Sequence, residues 1–114
     1  MQKASRYNKF GNKPTVVDGI RFASKLEAKR YGELKLLERA GQIQGLELQP
    51  RFRLTVEGEL ICEYRADFGY HEKQKRVIED TKGFRTPEFV IKAKLMRAIY
   101  PHVELREISA RRRA

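Results

Sequence analysis

The sequence predicts a single α/β domain, ordered helix, three strands, helix, strand, and three observations predict it. Ser24–Ala40 carries helical start and stop signals around an apolar stripe. Three runs of alternating or apolar residues, Gln49–Val56, Leu60–Tyr70 and Arg76–Lys82, are separated only by short polar turns. Pro87–Ile99 then reads as a second helix, and Val103–Ile108 as a last strand. Strand, helix and strand in that order usually make a right-handed parallel crossover, so the expected architecture is αβββαβ around one mixed sheet.

Each element has a local cause. Met1–Pro14 is basic, lacks periodicity and reads as an N-terminal arm. In Thr15–Phe22 two short apolar stretches flank Asp18-Gly19, a two-residue hairpin signal. In the first helix Ser24 is the expected N-cap and Glu27, three residues on, completes a capping box. Leu26, Arg30, Leu34 and Leu37 form one line along this helix, Tyr31, Leu34 and Ala40 the next, and Gly41 is the expected stop. Gly32 inside it weakens the helix, which suggests close packing there. Phe52, Leu54 and Val56 alternate with Arg51, Arg53 and Thr55, as in a half-buried strand, and Glu57-Gly58 turns the chain into the next one. For the second helix Thr86 is the expected N-cap, Pro87 suits the first turn, Phe89, Ala93 and Met96 share a face, and Pro101 ends it. Ala110–Ala114, with its three arginines, is a basic tail, leaving 15–109 as the folded domain.

Composition narrows the function. The chain has 114 residues, enough for one modest core, and 40% of them are hydrophobic. Its 25 Lys and Arg against 15 Asp and Glu give a formal charge of +10, a field that favours a polyanion, nucleic acid first. No apolar run approaches the ~18 residues of a membrane span. The polar, basic first residues lack the apolar core of a secretory leader. One cysteine, Cys62, excludes an internal disulfide, and with only two well-separated histidines it argues against structural zinc. A cytoplasmic protein is expected.

The chemistry concentrates in Tyr64–Gly83. If Leu60–Tyr70 and Arg76–Lys82 close around a turn at Glu72–Lys75, His71 falls opposite Arg76, Tyr70 opposite Val77, and Asp67 opposite Asp80. Opposed residues share a face with Cβ atoms roughly 5 Å apart, and Lys82, two residues past Asp80, points the same way. Glu79 faces away. Two carboxylates held together repel, and a divalent cation relieves the repulsion. Paired acids with a lysine beside them are what metal-dependent cleavage of a phosphodiester needs.

The order of elements, with Glu27 on the first helix, Asp67 on the second strand and Asp80-Thr81-Lys82 on the third, resembles the PD-(D/E)xK nuclease superfamily. The resemblance runs from Ser24 to Ile108 and is nearest to small phage-encoded nucleases and archaeal-type Holliday junction resolvases. The superfamily's leading proline is missing, since Ala66 precedes Asp67. The resemblance implies a restriction-endonuclease-like core and Mg²⁺ or Mn²⁺ held by Asp67, Asp80 and Glu27, with the Thr81 carbonyl as a further ligand. It implies Lys82 as the catalytic lysine and Gln49 as a supporting residue behind the ligands. The expected activity is that of a Mg-dependent endodeoxyribonuclease on four-way junctions or other branched DNA, working as a homodimer in the cytoplasm, the host's if the protein is phage-encoded. A nuclease of the same superfamily acting on nicks, flaps or ends, or a non-catalytic basic DNA-binding protein, are the alternatives. Arg51, Arg53, Lys73, Lys75, Arg76, Arg85, Lys92 and Lys94 are the expected phosphate contacts. Phe89, Ile99, Tyr100 and the Thr15–Phe22 hairpin are the expected dimer surfaces.

Overall fold

The computed structural model describes residues 14–82 and 84–109; the expected arm and tail lie outside the described residues, apart from Pro14. Among the described residues eight strands and two helices follow one another as β1 (Thr15–Val17), β2 (Ile20–Phe22), α1 (Lys25–Arg39), β3 (Gln44–Leu48), β4 (Arg51–Val56), β5 (Glu59–Arg65), β6 (Phe68–Glu72), β7 (Lys75–Thr81), α2 (Pro87–Ile99) and β8 (Val103–Ile108). The chain is an α/β domain whose mixed sheet runs in the order β3-β6-β7-β8, with β7 and β8 parallel and the other pairs antiparallel. No helix among the described residues is long and apolar enough to cross a membrane.

The first hairpin turns on Asp18 and Gly19, both at positive φ. In α1 the Ser24 hydroxyl accepts the Glu27 N–H at 3.1 Å. The helix closes with paired reverse bonds, Gly41 N–H to the Glu38 carbonyl and Gln42 N–H to the Leu37 carbonyl, around Gly41 at φ 80°. Its buried face is Glu27, Ala28, Tyr31 and Leu34; Leu37 sits at the margin of the expected stripe. Gly32 has open space around it, so the expected close packing is absent and the residue only weakens the helix. In α2 the Thr86 hydroxyl caps the Phe89 N–H, and Phe89, Ala93 and Met96 are buried as expected.

Alternation in β7 divides the interior. Val77 joins α1, β1–β2 and β6 through Ala28, Tyr31, Leu34, Phe22, Phe68 and Tyr70. Ile78 joins α2, β4, β5 and β8 through Ala93, Met96, Leu54, Tyr64, Val103 and Leu105. The next two residues continue the alternation: Glu79 turns toward α1 and Asp80 toward α2.

Two expectations about the strands are corrected. The expected first strand, Gln49–Val56, begins only at Arg51, and a separate strand, β3, precedes it. Glycine at 45 and an edge position with mostly exposed residues hide β3 from a periodicity reading. The expected single strand Leu60–Tyr70 is creased at Ala66-Asp67 into β5 and β6. The facing strand is creased at Gln49-Pro50, where Gln49 sits at φ 54°. Hydrogen bonds from Gln49 N–H to the Asp67 carbonyl and from Ala66 N–H to the Pro50 carbonyl bridge both creases. Beyond them β4 and β5 leave the sheet as a two-stranded ribbon.

That ribbon carries a bulge. Arg51 to Leu54 pair with Arg65 to Cys62, but Thr55 pairs with Leu60, so Ile61 has no partner. The extra residue sends Phe52, Leu54, Cys62 and Tyr64 to the core side, and Arg51, Arg53, Glu63 and Arg65 to the other.

Candidate acidic site

The β6–β7 hairpin has the register read from the sequence. Tyr70 pairs with Val77, His71 with Arg76 and Glu72 with Lys75, around Lys73 and Gln74 at φ 51° and 68°. The ladder's last regular pair is Phe68–Glu79. Past it, the Asp67 N–H bonds the Glu79 carbonyl, and the Asp67 carboxylate takes over as acceptor. Its Oδ2 receives the Thr81 N–H at 2.8 Å and the Thr81 hydroxyl at 2.9 Å. Thr81 therefore fixes Asp67 through donors, beside the carbonyl expected as a ligand.

Asp80, 3% exposed, faces Asp67 across the crease. Burial first, then the Asp67 charge, push its carboxyl up to about 7, against a hydrogen bond from the Tyr64 hydroxyl and the Lys82 charge; a bond between the two carboxyls raises it further. Glu27 comes from the first turn of α1 and is 9% exposed. Burial pushes its carboxyl up to about 7 as well, helped by Asp67 and Asp80 and opposed by the Ala23 N–H and the Arg65 charge. The three acids chosen from sequence thus feel one another across three elements. Lys82 is the nearest cation to Asp80 in sequence, and its Nζ rests 4.4 Å from the centre of the Phe89 ring.

Neighbouring acids are treated differently. Glu79, wholly buried, receives both arms of the Arg30 guanidinium, at 2.8 and 2.7 Å, and the Tyr70 hydroxyl. Glu107, opposite Asp80 on β8, is met by Arg85 at 3.0 Å and Arg97 at 3.6 Å. Among the described residues no ion pair reaches Glu27, Asp67 or Asp80. The fold neutralises the flanking carboxylates with arginine and leaves these three to repel. The donors are hard oxygens, the type that suits Mg²⁺ or Mn²⁺. With Asp80 bound to Tyr64, Asp67 to Thr81 and Glu27 to Ala23, no group of three or more such side chains is gathered to hold an ion among the described residues.

A groove of about 390 Å³ opens beside Asp80, and Arg51, Arg65, Lys82 and Lys92 are among the residues that line it. The other expected phosphate contacts lie elsewhere or are engaged. Arg76 pairs with Glu47 at 2.8 Å and packs over Phe52 and against the bare backbone of Gly69, where a Cβ would meet its guanidinium at 3.1 Å. Arg85 holds Glu107, and Lys75 lies 3.4 Å from Glu104. Lys73 and Lys75 stand at the far end of β7, roughly 16 Å of strand from Asp80 at about 3.3 Å per residue. Arg53 and Lys94 are exposed. Gln49 adjoins Asp67 through its backbone while its side chain is exposed. Phe89, expected at a dimer surface, is buried under Lys82, and Ile99 and Tyr100 pack against the core.

Sequence reasoning named neither Tyr64 nor Arg65 for the site, and assigned Phe89 to the face of α2 and a dimer surface rather than to the support of Lys82. The signal for Tyr64 was an aromatic residue with a polar end three positions before Asp67; its inward orientation depends on the ribbon bulge, which leaves no mark in composition.

A family model for proteins of unknown function, DUF1064, matches residues 7–113, and the chain belongs to that family. No curated protein matches it.

Proposed function

We propose that this member of the DUF1064 family is a metal-dependent endodeoxyribonuclease of the PD-(D/E)xK type that acts on branched DNA, a Holliday junction above all. The observation that carries the reading is the unneutralised trio Glu27, Asp67 and Asp80 beside Lys82, in a fold that gives both flanking acids an arginine. The sheet, with α1 on one face and α2 on the other, is read as the restriction-endonuclease-like core, to which β1–β2 and β3 are additions. Asp67, Asp80 and Glu27 would hold Mg²⁺ or Mn²⁺. The bound ion supplies Lewis acidity toward the scissile phosphate and a more acidic water.

The chain's own contributions are positional and electrostatic. Thr81 holds Asp67 by two donors, and Tyr64 holds Asp80 by one. Lys82, kept on the Phe89 ring, supplies positive charge where a phosphate in the groove gains negative charge. Two symmetric cuts at a junction need two sites, so the reading includes a homodimer.

The test is purified protein with Mg²⁺ and a labelled four-way junction, beside Asp80→Asn. Cleavage by the wild type alone is expected, with DNA binding kept in the variant. Cleavage restricted to nicks, flaps or ends would move the assignment to another nuclease of the same superfamily. Binding without cleavage on all of these substrates would leave a basic DNA-binding protein.

A further inference from the structure

At the root of the β4–β5 ribbon two arginines face each other. Arg51 and Arg65 are direct cross-strand partners, so their side chains leave the same face of the ribbon. Like charges directly opposed destabilise a strand pair. Among the described residues Arg51 is relieved only by Glu63, 3.6 Å away at an exposed position, and no ion pair reaches Arg65. Both arginines line the groove that holds Asp80, and Arg65 is close enough to Glu27 to favour its ionised form. Lys82 lines the same groove, as does Lys92, which is paired with Glu88 at 3.1 Å. The opposed arginines therefore share one channel with Asp80.

We infer that Arg51 and Arg65 form a phosphate clamp that seats the backbone of the DNA strand to be cut, holding phosphates next to the one presented to Glu27, Asp67 and Asp80. A phosphodiester between the guanidiniums removes their repulsion, and two planar forks grip phosphate oxygens in a way that ammonium groups do not. The clamp rests on the nuclease reading for its purpose and not for its measurement. It separates two of the chain's cations from those at the far end of β7, Lys73 and Lys75, which lie outside the groove.

Fluorescence anisotropy in EDTA, with a labelled four-way junction over a range of salt, measures binding where cleavage is blocked. Arg51→Ala and Arg65→Ala should each weaken binding by roughly three- to tenfold and lower the slope of log K against log salt by about 1, and the double variant should lower the slope by about 2. Arg65→Lys should keep most of the slope and lose part of the affinity. Lys73→Ala, at the far end of the sheet, should do less than either arginine. Melting temperatures should hold or rise, because an opposed like-charged pair is being removed. A double variant that binds with wild-type affinity and slope overturns the clamp, as does a loss from Lys73→Ala equal to that from Arg65→Ala. If the arginine variants lose binding as expected yet the wild type never cuts DNA with Mg²⁺, the clamp stands and the nuclease reading falls. If it cuts and the double variant binds normally, the reverse holds.

Discussion

Glu27→Gln separates the structural from the chemical cost of the acidic site. Glu27 has an ordinary value of 4.5, and in the fold its carboxyl is pushed up to about 7, by burial first and then by Asp67 and Asp80. A carboxyl that binds its proton more tightly when folded makes the native state the better proton binder. Its contribution is fully present below the ordinary value and is lost as pH rises through about 7. At about 1.4 kcal/mol per pKa unit, the whole rise would come to about 3 kcal/mol in a sealed site. Glu27 keeps some exposure and its neighbour Asp67 is only half-buried, so a loss of about 1–2 kcal/mol is expected between about pH 5 and pH 8. Glutamine keeps the side chain's size, accepts from the Ala23 N–H and leaves the Ser24 cap intact, but has no charge to bury. Urea unfolding in EDTA at both pH values is the assay. The variant should match the wild type near pH 5 and exceed it by about 1–2 kcal/mol near pH 8, or about 4–16 °C in melting temperature for a domain of this size. Added Mn²⁺ should stabilise the wild type near pH 8 more than the variant. An equal gap between the two proteins at both pH values would refute the argument that repulsion and burial act on Glu27.

The remaining expectations concern the rest of the fold. Gly32→Ala, at a helical position with open space around it, should stabilise the protein by about 0.5–1 kcal/mol in chemical denaturation. Arg30→Met strands the wholly buried Glu79 and should cost about 3–5 kcal/mol, whereas Arg30→Met with Glu79→Leu should recover most of that loss. Sedimentation equilibrium with and without junction DNA should find a dimer in at least one condition; a strict monomer in both would exclude paired cutting by one assembly.

The sequence carried the helices, their caps, the β6–β7 register and the last strand, because each is written in local terms: a hydroxyl before an apolar stripe, a glycine after it, a two-residue turn. Asp67 and Asp80 were legible for the same reason, since a hairpin's register follows from its turn. What stayed hidden is non-local or irregular. β3 is an exposed edge with no clean alternation, and the crease at Ala66-Asp67 interrupts a run that reads as one strand. Counting back from the Glu57-Gly58 turn would pair Arg51 with Tyr64. The bulge shifts the pairing to Arg65, so the opposed arginines and the inward Tyr64 were both out of reach. The charges of Arg76 and Arg85 say nothing by themselves; their partners, Glu47 and Glu107, come from other strands.

The unpaired Ile61 makes chain length itself part of the site. Deleting that one residue would let Cys62 follow Leu60 directly and still stand opposite Leu54, so Glu63, Tyr64 and Arg65 would keep their partners and faces in a regular ladder. The bulge is thus a one-residue reserve in the strand that carries Tyr64 to Asp80. One residue more in the same stretch would need a second bulge, or would turn Tyr64 away from Asp80. Among members of the family, chains one residue shorter between the tip and Arg65 should therefore keep this arrangement of acids, while chains one residue longer should show a further irregularity in the ribbon.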